Sequence, residues 1–166
     1  AYFLGLHIGD GSFFFSTYFN KKGTSFKAGF GWNLSDCVQN KPLFDAGKHF
    51  LESKGIVFTN SGLKEYENSV QLNISTMSEL QKFVQFLEEW GACEALTKVR
   101  QNQYKCFVEA MQLYSHPSFR DDFEKCSRFI QMKWTMNPGT NYKKKGSLEE
   151  DMVKLQRWYN NKKNTK

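Results

Sequence analysis

Apolar and polar side chains alternate along residues 12–22, with Phe13, Phe15, Thr17 and Phe19 on one side and Ser12, Phe14, Ser16, Tyr18, Asn20 and Lys22 on the other. A period of two belongs to a strand with one buried face. Gly23 permits a hairpin, after which Phe26, Ala28, Phe30, Trp32 and Leu34 alternate with Ser25, Lys27, Gly29, Gly31 and Asn33. The period then lengthens. Asn40 can cap a helix, Pro42 suits its first turn, and Leu43, Phe44, Gly47, Phe50 and Leu51 form its apolar stripe up to Gly55. A second strand pair is predicted over 56–61 and 68–75 around Gly62, with Phe58, Val70, Leu72 and Ile74 inward. Ser78 with Gln81 reads as a capping box for a helix that carries Leu80, Phe83, Val84, Leu87 and Trp90 and closes at Gly91.

Downstream, residues 98–114 form a helix with Tyr104, Phe107, Val108 and Met111 along one side, stopped by His116 and Pro117. Ser118 caps the next, with Phe119, Phe123, Cys126 and Ile130 spaced for burial, and Asn137, Pro138 and Gly139 break it. Ser147 with Glu150 opens a last helix bearing Leu148, Met152, Leu155 and Tyr159. No internal repeat is visible. These elements predict an α+β chain, one domain over 1–166, with a core over about 1–96 and a helical extension over about 97–166.

Composition agrees with one good core: 40% of the 166 residues are hydrophobic, and sixteen Phe and four Trp exclude a disordered chain. The formal charge of +6 favours a polyanionic partner. Most of that excess lies after residue 140, where eight Lys or Arg face three acids; a solvated terminus would look the same. The four cysteines have no metal-ligand spacing and the three histidines are scattered, which predicts free thiols in a reducing compartment. No apolar run suits a membrane span and no signal-peptide pattern is seen, so the expectation is a soluble, intracellular protein with no membrane partner. What precedes Ala1 is left open.

The chemistry points to the beginning of the chain. If residues 3–10 are helical, Gly5 and Gly9 lie four apart on one bare face, against which a second helix can pack closely. Asp10 falls where that helix ends, and Gly11 supplies the permissive turn into the strand. Two such helices would bring two carboxylates together, a plausible metal site. The alternative is a first core helix whose Asp and Gly only make a turn.

Residues 3–11 resemble a degenerate LAGLIDADG motif, the signature of the LAGLIDADG homing endonucleases. Gly5, Leu6, Gly9, Asp10 and Gly11 fit, and Ser12 and Phe13 are a common continuation. Leu4 stands where a small residue is usual, His7 replaces a plain aliphatic, and Ile8 replaces the first acidic residue. The helix and strand order read from periodicity, αββαββα, is also that of the family's core. A single motif implies a homodimer.

The resemblance implies metal-dependent phosphodiester hydrolysis. Asp10 of each copy, with the Gly9 carbonyl, would hold Mg2+; Ca2+ could substitute without turnover, and Mn2+ is a further candidate. Lys98 resembles the family's active-site lysine, and Asp36 and Asn40 stand where polar groups that organise water are placed, as peripheral candidates. The outward strand faces would read double-stranded DNA in the major groove through Ser16, Tyr18, Asn20, Lys22, Lys27, Asn33, Thr59, Ser61, Gln71 and Asn73. Asn141 with Lys143, Lys144 and Lys145 would bind phosphate. The implied activity is a staggered double-strand cut in a long pseudo-palindromic site by an intron-encoded enzyme of a mitochondrion or chloroplast. The rival is a nucleic-acid-binding protein that does not cleave, or an intron RNA maturase. Retention of both Asp10 and Lys98 favours the enzyme.

Overall fold

A computed structural model describes residue 5 and residues 10–58, 62–136 and 146–164. Strands β1 (Ser12–Phe19) and β2 (Phe26–Cys37) are followed by helix α1 (Lys41–Ser53), strands β3 (Leu63–Glu65) and β4 (Ser69–Ile74), and helix α2 (Met77–Glu89). Helices α3 (Lys98–Ser115), α4 (Phe123–Thr135) and α5 (Leu148–Lys163) complete the chain. The strands form one sheet in the order β1-β2-β4-β3. Strand β2 pairs antiparallel with β4, and β4 with β3. The chain divides into two compact units, one of residues 1–14 and 30–104, the other of 15–29 and 105–166. Among the described residues no helix is long and apolar enough to cross a membrane.

In the first unit, Trp32 and Leu34 of β2, Val70 and Leu72 of β4, and Leu80, Phe83 and Leu87 of α2 are almost wholly buried. Trp32 meets Phe83 at 4.6 Å between ring centroids. Burying side chains of this size contributes about 1.5–3 kcal/mol each, so this cluster fixes α2 against the sheet. Helix α1 ends in a left-handed Gly55 (φ 81), with the Ile56 amide returned to the Leu51 carbonyl and the Ile56 side chain buried.

That cap accounts for one departure from expectation. Residues 56–58 form no strand, because the Val57 amide is taken by the Glu79 carboxylate at 2.6 Å instead of a sheet partner. The amide and a hydrogen bond from Lys82 hold Glu79 below the usual carboxylate range. The hairpin partner of β4 is instead the three-residue β3, closed by the Tyr66 amide on the Ser69 carbonyl. Three helix starts and faces also differ. Helix α2 begins at Met77 after Thr76 with no side-chain cap, so Ser78 and Gln81 make no capping box. Ser118 precedes a short 3-10 turn, and Asp122 caps α4 by accepting from the Lys125 amide. Leu43 and Trp90 are exposed rather than inward.

The second unit is built around rings. Phe26 of β2 lies 5.2 Å from Trp158 of α5 and 6.2 Å from Phe129 of α4, and Phe15 of β1 lies 5.1 Å from Phe129. Ser147 caps α5 by accepting from the Glu150 amide, as its spacing predicts. The buried Asp151 of α5 accepts from Lys133 at 2.6 Å and from the Trp134 indole at 3.1 Å, and Lys133 also donates to Thr17 of β1 at 2.9 Å. All four cysteines are free, and burial pushes the Cys126 thiol up to about 12.

Candidate functional site

Gly5 and Asp10 both have helical backbone and are exposed, whereas Gly9 lies outside the described residues. A Cβ added to Gly5 would meet nothing within 4 Å among the described atoms. The residue after Asp10 is fixed more firmly. Gly11 is buried, and its carbonyl accepts from the Arg100 guanidinium at 3.2 Å. Arg100 stands in the first turn of α3, whose start is set by Thr97: its hydroxyl accepts from the Arg100 amide at 3.5 Å and its carbonyl from the Gln101 amide at 2.8 Å. The Gln101 side chain donates back to the Glu94 and Leu96 carbonyls. Lys98 is the first residue of that helix and is exposed. One residue further along β1 than Ser12, Phe13 packs edge-on against Tyr104 of α3 at 5.4 Å and against Phe83 of α2 at 6.2 Å. The Asp10–Gly11 junction is therefore anchored on the α3 segment that carries Lys98.

Asp36 and Asn40 form a pair of their own. The Asp36 carboxylate accepts from the Cys37 amide at 2.7 Å and from the Asn40 side chain at 2.8 Å. The Cys37 amide first, and Asn40 second, hold the carboxyl below its usual range. Asn40 is spent on this pair and gives α1 no side-chain cap. Among the described residues no hydrogen bond links this pair to Asp10 or Lys98, and no group of three or more His, Cys, Asp and Glu side chains is placed to hold a metal.

The sheet register lines up outward polar side chains. In the first unit Asn33 faces Asn73, and Ser35 faces Gln71, which faces Lys64 on its other side. The Asn73 amide nitrogen is buried with no hydrogen-bond partner among the described residues, a donor left to find one. Phe14 is 44% exposed on the outward side of β1, and its ring lies over Gly31, where a Cβ would stand 2.3 Å from the ring tip.

In the second unit Ser16, Tyr18, Lys22 and Lys27 are exposed, Tyr18 by 62%. Asn20 differs: its side chain accepts from the Thr24 and Ser25 amides and donates to the Thr24 hydroxyl, so it builds the β1–β2 turn. Thr59, Ser61, Asn141, Lys143, Lys144 and Lys145 lie outside the described residues.

Ser35, Lys64, Phe14 and Arg100 join the candidates. Ser35 extends the alternation of β2 and was legible. Lys64 was hidden by the shortness of β3, and Arg100 by a partner that is a backbone carbonyl.

No protein-family model and no curated protein matches the sequence. Solved structures do match the fold. The archaeal intron-encoded homing endonuclease I-Vdi141I, complexed with DNA, superposes with a TM-score of 0.76 at 18% identity, over 95% of this chain and 94% of that one. The homing endonuclease I-TnaI gives 0.69 at 17% identity, over 93% and 95%. I-SmaMI, bound to an uncleaved DNA target in the presence of calcium ions, gives 0.69 at 15% identity over 90% of this chain, but only 47% of its own.

Proposed function

We propose, from the LAGLIDADG homing endonuclease fold that this chain has, that it is a sequence-specific DNA endonuclease working as a homodimer. The observation that supports this reading best is the Arg100 hydrogen bond to the Gly11 carbonyl, which ties the backbone just after the exposed Asp10 to the first turn of the helix that bears Lys98. The fold unit matches nearly all of I-Vdi141I but about half of I-SmaMI, so it occurs both alone and as part of a chain twice as long. One chain offers a single carboxylate at Asp10, and a second copy would supply the other. The exposed Gly5, with nothing against its Cβ side among the described residues, suits the helix pairing that would bring them together.

Asp10 of each copy, with the Gly9 carbonyl, would hold Mg2+; sparse carboxylate ligation leaves the positions that water and phosphate oxygens take on this ion. When bound, it supplies Lewis-acid stabilisation of the phosphoryl group and a more acidic water. The ammonium of Lys98 offsets charge that grows on the phosphate oxygens in the transition state. Arg100 ties down the backbone just after Asp10, which limits where the carboxylate can reach. Asp36, already ionised and paired with Asn40, orders water at the periphery.

The outward rows of the sheet provide the reading surface. Asn33 with Asn73, and Ser35 with Gln71 and Lys64, offer mixed donors and acceptors to base edges in the major groove. Lys143, Lys144 and Lys145 add charge for the backbone.

The test is Asp10→Asn, assayed on DNA selected from a randomised duplex pool. Cleavage in Mg2+ should fall by orders of magnitude, while affinity in Ca2+ changes little or rises as repulsion with phosphate is relieved. Parent protein that binds but never cuts would establish the binding-protein or maturase reading instead.

A further inference from the structure

The β1–β2 turn and helix α5 enclose a cavity of about 260 Å3 lined by Phe19, Asn20, Lys21, Gly23, Lys154 and Arg157. Three of its six residues are cations. We infer that this cavity is a phosphate clamp, gripping one backbone phosphodiester of bound DNA through Lys21 and Arg157. The inference rests on the DNA-binding reading above and adds to it a contact that carries no base information.

The cavity is built rather than incidental. Asn20 organises the turn through its hydrogen bonds to Thr24 and Ser25, and Gly23 turns the chain at φ 68. Gly23 is also where α5 touches the turn. A Cβ there would come within 3.1 Å of the Arg157 side chain, so the arginine stem lies flat on the glycine. Asn161, one turn further along α5, donates to the Gly23 carbonyl at 3.1 Å and the Lys22 carbonyl at 3.4 Å. Beneath, Phe19 stacks on Phe26 at 4.8 Å, and Phe26 meets Trp158 of α5. Both walls are thus tied to one aromatic floor.

Charge selects the ligand. Lys154 is drawn to Asp151 at 3.3 Å, which already holds Lys133. Among the described residues Lys21 and Arg157 have no acidic partner. Two uncompensated cations on a preformed cavity call for an anion, and the arginine fork matches two phosphate oxygens. A base edge would need donors and acceptors together, yet the one amide present, Asn20, is spent on the turn. The clamp therefore recognises charge and shape, which a phosphodiester supplies and a base does not.

The test pairs a protein change with a DNA change. Lys21→Gln with Arg157→Gln removes both charges while keeping polar side chains with an aliphatic stem, and circular dichroism and thermal melting check that the fold survives. Affinities in Ca2+ are measured against a selected duplex in which each phosphate in turn is replaced by an uncharged methylphosphonate. For the parent, neutralising one position per half-site should cost about tenfold, the worth of a charge-assisted contact. The double variant should lose the same factor on the unmodified duplex, be indifferent to that position, and have a shallower salt dependence with its base preference intact. If the variant remains as sensitive as the parent at every position, the clamp is wrong while the DNA-binding reading stands. If the parent binds no duplex, both fall. Inorganic phosphate is titrated in parallel by NMR: shifts at Lys21 and Arg157 without any coupled DNA position would mark a free-anion site and overturn the assignment to DNA.

Discussion

Arg100 donates its guanidinium to the carbonyl of Gly11 at 3.2 Å, so a long side chain from one helix holds the backbone that follows Asp10. Arg100→Met should leave DNA affinity in Ca2+ within about threefold, slow cleavage, and raise the Mg2+ concentration needed for half-maximal rate. Arg100→Lys should restore part of the loss. Lys98→Met is the contrast: cleavage slows by about 10²–10³-fold, the Mg2+ requirement stays put, and stability stays within about 0.5 kcal/mol as for other exposed sites. Single-turnover rates across a Mg2+ titration separate the two, and identical titration curves would refute the positioning role.

Gly5 is exposed, and among the described residues nothing lies within 4 Å of where its side chain would begin. Gly5→Leu should therefore fold as well as the parent and fail only where a second helix must approach. Light scattering should show a dimer for the parent on DNA, and separated, inactive subunits for the variant. A variant that still cuts would rule out pairing through this face.

Phe14 lies across Gly31 with 44% of its surface exposed, amid polar neighbours. An aromatic ring on a major-groove face suits the methyl group of thymine. Selected sites should contain a thymine at one fixed step, and deoxyuridine there should cost about 0.8 kcal/mol, roughly fourfold in affinity. Phe14→Ser should abolish that difference. Gly31→Ala, whose methyl displaces the ring, should do the same with little loss of stability.

Asp151 is buried, which resists ionisation, but Lys133, Lys154 and Trp134 outweigh that cost and its carboxyl titrates below the ordinary aspartate range. A depressed pKa gives stability that is complete above the unfolded value and fades as pH falls through the folded one. Thermal melts should thus be flat in this respect near neutrality and drop below about pH 4. Asp151→Asn should lower stability by about 3 kcal/mol at pH 7, since it strands the Lys133 ammonium, and flatten the acid limb. An unchanged melting point would refute the network's role.

The sequence was most legible where one period ran long enough. Strands β1 and β2 follow from ten alternating positions each, and the burial of Phe15, Phe26, Phe30 and Trp32 follows that pattern. β3 escaped because three residues cannot display a period, and because Val57 gave its amide to a side chain 22 positions away. Asp10 was visible through the glycines around it. Arg100 was not, since its bond to the Gly11 carbonyl would be the same whatever side chain stood there. Nothing in the sequence sets Asp151 apart from the neighbouring Glu149 and Glu150, and only packing reveals that it is enclosed.

Asn161 closes the β1–β2 turn from 138 residues further along the chain. During synthesis, the two strands and their turn emerge long before the helix that seals them. Ring closure over such a span is entropically slow. The hairpin must therefore wait, incompletely fastened, until that helix has been made, and a chain cut short after Arg157 would stay in that state.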